Sequence, residues 1–104
     1  MGGLAFPVYV LTKDDGSVME FPTRTVMQGY LEAIDVENEE YEAWDATGRS
    51  LNLGVGEPGT EWLKITSAEH SASEHEFRAI KDRAEKWKEY ESLWKRVHRW
   101  FARS

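Results

Sequence analysis

The stretch that decides the fold is Val8–Phe21, with the sequence VYVLTKDDGSVMEF. Runs rich in β-branched, aromatic and other apolar residues stand at both of its ends, and between them lie polar residues that include Asp15-Gly16. An Asp-Gly pair between two apolar runs is the strongest short-range signal for a β-hairpin, because glycine accepts the backbone conformation of a tight turn. The sequence therefore predicts two antiparallel strands joined at residues 13–17.

A helix is predicted to follow the hairpin. Pro22 ends the second strand, and either Thr23 or Thr25 can cap the helix, since Thr25 and Gln28 have the spacing of a capping box. Gly29 inside this helix would cost about 1 kcal/mol relative to alanine. The apolar residues at helical spacing on one face are Val26, Met27, Tyr30, Leu31 and Ile34.

Three more strands are predicted between residues 40 and 66. Tyr41 and Ala43 alternate with acidic residues in the first strand, and residues 62–66 form the third. In the second strand, Leu51, Leu53 and Val55 alternate with Asn52 and Gly54, which is the period of two of a half-buried strand. Turn residues separate the three strands, so we expect a meander.

From Ser71 onward the pattern predicts one helix that continues to the end of the chain. Its start is signalled by two overlapping capping boxes, Ser71 with Glu74 and Ser73 with Glu76. The apolar stripe of this helix consists of Phe77, Ile80, Ala84, Trp87, Trp94, His98 and Phe101, widened by Tyr90 and Val97.

Such a helix would be long for the domain. About 29 residues at ~1.5 Å each reach ~43 Å, whereas a compact domain of this size is only ~33 Å across. The helix end would therefore overhang the sheet or fold back onto it, and an apolar overhang favours self-association. We predict a homodimer whose interface contains Trp94, Val97, Trp100 and Phe101.

Together these elements predict the α+β fold class. We expect an antiparallel sheet of about five strands, built from a β-hairpin, a helix and a three-strand meander, with a long C-terminal helix packed on it. With 104 residues, 40% of them hydrophobic, the chain should form a single domain over residues 1–104. Residues 1–70 would form the acidic sheet and short helix, and residues 71–104 the long, basic-ended helix.

The amino-acid composition excludes several kinds of functional site and gives no sign of secretion or membrane insertion. The chain has no cysteine, which excludes disulfides, thiol catalysis and thiolate zinc sites. Its first residues, MGGLAFP, have neither the basic nor the long apolar region of a signal peptide, and no run approaches the ~20 apolar residues of a membrane span. We therefore expect a cytoplasmic protein without a membrane partner.

Charge is distributed unevenly along the chain. Residues 1–77 hold fifteen acids and four bases, a balance of -11, and residues 78–104 hold nine bases and four acids, a balance of +5, which together give the net charge of -6. The densest segment, residues 32–45, contains seven acids and no Lys or Arg. Such a field repels nucleic acid and attracts basic proteins, so we expect a basic protein partner and no DNA or RNA.

The acidic segment has two interpretations. It can be an ordinary solvated loop and strand face, or it can be a ridge that recognises a protein partner. Aromatic side chains ringed by charge are typical of protein interfaces. The candidate protein-binding residues are Glu37, Glu39, Glu40 and Glu42, with Tyr41 and Trp44 as anchors.

No motif indicates a catalytic residue, a cofactor or a metal. His70 and His75 are five residues apart and do not share a helical face, and no HExxH is present. A calcium loop starting at Asp35 would have Glu40 in place of its glycine and Ala46 in place of its final glutamate. We therefore expect a non-catalytic protein; a small hydrolase or ligand-binding enzyme, with a site assembled only in three dimensions, is the alternative.

Three segments carry a resemblance to known proteins: YVLTKDDGS (9–17), YLEAIDVE (30–37) and YEAWDATGR (41–49). They look like small acidic bacterial proteins that are similar in size and acidity to immunity proteins of bacterial toxin systems. The resemblance covers roughly the first half of the chain and implies an inhibitor that binds a basic toxin through an acidic ridge. Immunity proteins share a role rather than a sequence pattern, so no functional residue follows from it. A homodimeric structural or adaptor protein is a third interpretation.

Overall fold

A computed structural model describes residues 4–57 and 62–86 of the chain. Its elements are β1 (Val8–Thr12), β2 (Val18–Phe21), α1 (Arg24–Tyr30), α2 (Ala33–Glu37), β3 (Tyr41–Trp44), β4 (Arg49–Val55), β5 (Leu63–Ser71), α3 (Glu74–Arg83) and β6 (Ala84–Lys86). The strands form one sheet in the order β5-β4-β3-β1-β2-β6. The predicted α+β class is confirmed. The prediction of a purely antiparallel sheet of about five strands is wrong, because a sixth strand, β6, runs parallel to β2.

The predicted hairpin and meander are confirmed. β1 and β2 pair antiparallel, and their turn is closed by the Thr12 N–H, which donates to the Ser17 carbonyl at 2.8 Å. Gly16 has a φ of 74°, the conformation for which glycine was expected at this turn. β3, β4 and β5 follow as an antiparallel meander, with β5 extending to Ser71, five residues beyond the predicted strand end.

The single helix predicted after the hairpin is two helices. The backbone is extended at Leu31 and Glu32, between α1 and α2. This break lets Leu31 and Val36 reach the core, and it leaves Ile34, which the helical stripe placed on the buried face, 63% exposed. Of the two candidate caps, Thr23 is the N-cap, and its hydroxyl accepts a hydrogen bond from the Val26 N–H at 3.2 Å.

The long C-terminal helix is also corrected. Ser73 caps α3 by accepting from the Glu76 N–H at 3.1 Å, whereas Ser71 still belongs to β5. The helix ends at Arg83, because the next residues take extended backbone and pair with the outer edge of β2. With ten residues, α3 spans only ~15 Å, which is well within the ~33 Å of a compact domain of this size. The interface residues predicted for a homodimer, Trp94, Val97, Trp100 and Phe101, lie outside the described residues.

Side chains alternate along each strand, so each face of the sheet carries its own cluster of buried residues, covered by helices. One face packs against α1 and α2 and forms the first cluster: Val8, Val10, Met19, Phe21, Met27, Leu31, Val36, Ala43, Leu51 and Leu63. The opposite face packs against α3 and forms the second cluster: Tyr9, Val18 and Phe77. Within the described ranges, no helix is long and apolar enough to cross a bilayer.

Tyr9 makes the fold sensitive to alkaline pH. Burial of its side chain, which is 7% exposed, and a hydrogen bond with Glu20 raise the pKa of the hydroxyl from 10.0 to about 12. The neutral phenol therefore contributes stability that is fully present below pH 10 and is lost as the pH rises towards 12. We expect the free energy of unfolding in urea to fall less steeply over this window in a Tyr9→Phe variant. Equal slopes for the two proteins would contradict this contribution.

Candidate protein-binding site

Four carboxylates of the acidic segment are exposed and form what we call the acidic surface. Glu32 precedes α2 as its N-cap, Glu37 ends that helix, Glu39 lies in the loop that follows, and Glu42 lies in β3. Glu39 has a φ of 55°, a conformation that glutamate seldom adopts. This turn connects α2 to β3, so the four carboxylates lie within eleven residues of chain. Strand alternation places Glu42 on the face of β3 that carries Trp44, whereas α2 packs on the opposite face.

The other acids of the segment have structural roles. Asp45 is buried at 6% exposure, and its Oδ1 accepts hydrogen bonds from the Thr47 N–H at 2.8 Å, the Thr47 hydroxyl at 2.6 Å and the Arg49 N–H at 3.1 Å. Asp35 accepts from the Tyr41 hydroxyl at 3.3 Å. Glu40 is half-buried, and its backbone carbonyl accepts from the Lys13 N–H at 2.8 Å. These acids shape the turns that present the acidic surface.

Tyr41 and Trp44, the two predicted anchors, lie on opposite faces of the sheet, and both line the cleft described below. Residues three apart in a strand point to opposite faces, and accordingly Tyr41 packs on the first cluster while Trp44 packs on the second. Burial, as the main cause, and the Asp35 carboxylate raise the pKa of the Tyr41 hydroxyl, against a lowering by a backbone hydrogen bond at Glu32. Both aromatic side chains are half-buried.

Ile34 is the residue of this surface that the sequence pattern missed. It lies in the middle of α2 and is 63% exposed, and Glu37 one turn later lies on the same side of the helix. The pattern assigned Ile34 to the core because it placed this residue, with Val26 and Tyr30 among others, on one face of a single helix. Gly29 near the end of α1 is a local sign that the helix is weak at this point.

A cleft adjoins the acidic surface where β3 and β4 separate. In the part of the chain that the structure describes, the two strands pair only at Ala43–Leu51 and Trp44–Ser50. Continuing this register would place Glu42 opposite Asn52, but no pairing occurs there. The resulting cleft has a volume of about 540 Å³, which is within the ~300–1,000 Å³ typical of ligand sites. Its charged, amide and imidazole side chains are Lys13, Glu39, Glu42, Asn52, His70 and Glu76, and its hydroxyl side chains are Tyr41, Ser50 and Ser71.

The charged side chains that line the cleft favour organic cations, such as ammonium and guanidinium groups. Three carboxylates outnumber the single lysine, and a carboxylate makes strong charge-assisted hydrogen bonds with ammonium and guanidinium groups. His70 and His75 lie in different elements, β5 and α3, and both are exposed. Within residues 4–57 and 62–86, no three His, Cys, Asp or Glu side chains are grouped so that they could hold a metal ion.

Comparisons with family models, with curated proteins and with solved structures found no match to this chain.

Proposed function

We propose that this protein is a non-catalytic binding module that holds a basic protein partner through its acidic surface. An immunity-type inhibitor of a basic toxin is the most concrete form of this function. The observation that carries the proposal is the arrangement around α2: the exposed carboxylates of Glu32, Glu37 and Glu39 accompany the exposed aliphatic side chain of Ile34. Glu42 extends the acidic surface onto the face of β3 that carries Trp44.

An apolar centre with a charged rim is the usual composition of a protein interface. Ile34 would bury its exposed area against the partner, and the carboxylates around it would meet cationic side chains. The charge also acts at a distance, because a field of one sign accelerates the encounter with a partner of the opposite sign. The strongly acidic balance of residues 1–77 adds to this steering.

The proposal predicts a charge-dependent association rate. Replacing the four predicted glutamates Glu37, Glu39, Glu40 and Glu42 with Gln removes three carboxylates of the acidic surface and the neighbouring Glu40. It should leave the fold intact, because none of the four is buried. It should slow association with a basic partner about tenfold or more at low salt, with a smaller effect on dissociation. The measurement uses wild-type protein to capture a partner, followed by binding kinetics with the purified partner over a salt series.

A matched control removes the same charge elsewhere. Glu69, Glu74, Asp82 and Glu85 are all exposed and lie outside the acidic surface, and their change to Gln or Asn lowers the negative charge equally. This control should keep most of the wild-type association rate. Equal losses in both variants, or association that salt does not affect, would remove the acidic surface from the mechanism.

The cleft favours a second candidate function, a small hydrolase or ligand-binding enzyme. Glu42, His70 and Glu76 line it together and could transfer protons or bind polar groups of a small molecule. Saturable binding of a small molecule that is lost in Glu76→Gln, with protein binding unchanged, would favour the enzyme. The homodimeric adaptor is tested separately by light scattering of the full chain against a chain ending at Tyr90.

A further inference from the structure

The β3–β4 cleft differs from the acidic surface in one respect: residues of two neighbouring strands line it, next to the point where their pairing ends. Paired strands lie ~4.8 Å apart and leave no space between them. Pairing between β3 and β4 ends at Ala43–Leu51, and residues of both strands beyond that pair line the cleft, although both strands continue. Two strands of one sheet thus present inner edges to each other across a cavity.

The edge of β4 that faces the cleft stays extended, because β4 is paired with β5 along its other edge. Asn52 pairs with Thr66 and Leu53 pairs with Ile65, both beyond the last residue pair between β3 and β4. Consecutive residues of an antiparallel strand direct their backbone N–H and C=O groups alternately to the two sides. One of these two residues of β4 therefore directs its backbone groups to β5 and the other directs them into the cleft.

We infer that the cleft binds an extended, basic segment of the partner, which pairs with the inner edge of β4 as an added strand. The inference rests on the proposed function, because it identifies which part of a basic partner the protein takes up. Backbone hydrogen bonds to an open strand edge provide affinity, and the side chains that line the cleft provide selectivity.

Charge decides which segment fits. Glu39 and Glu42 from the acidic surface and Glu76 from α3 line the cleft, against Lys13 as its one lysine. Lys and Arg side chains at alternate positions of an inserted strand would point to the same side and could meet these carboxylates. An acidic segment would bring like charges together and is disfavoured.

The test uses two synthetic peptides of equal charge. The first is acetyl-Lys-Val-Arg-Val-Lys-Val-amide, and the second carries N-methyl groups on its valines, which remove backbone donors and keep the side chains. Binding is followed by NMR titration of the backbone amides of the full chain. The first peptide should shift the amides of Asn52 and Leu53, and the N-methylated peptide should bind about tenfold more weakly.

Two protein variants locate the peptide. Asn52→Trp should fill the cleft and weaken binding of the first peptide about tenfold or more. Thr66→Trp is the matched control, because Thr66 is the exposed cross-strand partner of Asn52 but does not line the cleft, and its affinity should stay within about twofold of wild type. Circular dichroism confirms that both variants are folded.

The outcomes separate this inference from the proposed function. Equal affinity for both peptides, unchanged affinity in Asn52→Trp, or shifts confined to α2 would overturn strand addition and leave the acidic surface intact. No peptide binding, together with salt-dependent binding of a captured basic protein, would overturn the inference alone. Failure of both the peptide and the basic protein to bind would overturn both.

Discussion

Replacing Phe77 with Ala is expected to destabilise the fold by about 3–5 kcal/mol, the range found when a large core aromatic is truncated. Phe77 is the buried residue of α3, 9% exposed, and it fixes the helix to the sheet. Its ring meets the ring of Tyr9 edge-on, with the ring centroids 5.5 Å apart, and it carries the Lys81 ammonium group 4.8 Å from its centroid. Urea unfolding measures the change.

The same variant tests how α3 contributes to the cleft. Glu76, which lines the cleft, directly precedes Phe77, so loosening α3 should weaken binding of the basic peptide as well. Phe77→Leu keeps most of the apolar volume and should recover more than half of the lost stability. A loss below about 1 kcal/mol in Phe77→Ala would show that α3 is held by other contacts.

Replacing Gly48 with Ala is expected to destabilise the fold by about 2–3 kcal/mol, for two separate reasons. The residue has a φ of 87°, where an L side chain is strained. An added Cβ would also lie 3.1 Å from Cδ2 and 3.2 Å from Cγ of Phe77, closer than ordinary van der Waals contact. Thermal and urea unfolding of the variant measure the sum of both effects.

Gly29→Ala is the matched control, since the same substitution should have the opposite sign. Gly29 lies in α1, and its added Cβ would meet no heavy atom within 4 Å, so alanine should stabilise the helix by about 0.5–1 kcal/mol. In a Phe77→Ala background, Gly48→Ala should cost less, because the contact with the ring is gone and only the backbone strain is left. Equal costs in both backgrounds would show that the ring contact contributes nothing.

Local patterns in the sequence were sufficient wherever the deciding residues are neighbours in the chain. The Asp15-Gly16 turn closes within six residues, and the caps formed by Thr23 and Ser73 bond to amides three residues later. The alternation in β3 and β4 predicts strands because successive side chains must point to opposite faces. The seven acids of residues 32–45 likewise predict an acidic segment without any knowledge of the fold.

Tertiary contacts decided what these patterns could not. The helical spacing of apolar residues does not show that the backbone becomes extended at Leu31. The break depends on how Leu31 and Val36 pack on the sheet, which is a contact between distant parts of the chain. The same break exposes Ile34. Residues 84–86 continue a helical pattern, yet they form β6 because β2 offers them a strand edge more than sixty residues away in the chain. The sequence alone thus determined the turns, the caps and the charge. Pairing between distant strands determined where α3 ends and where β3 leaves β4, because such pairing depends on which backbone edges meet in space.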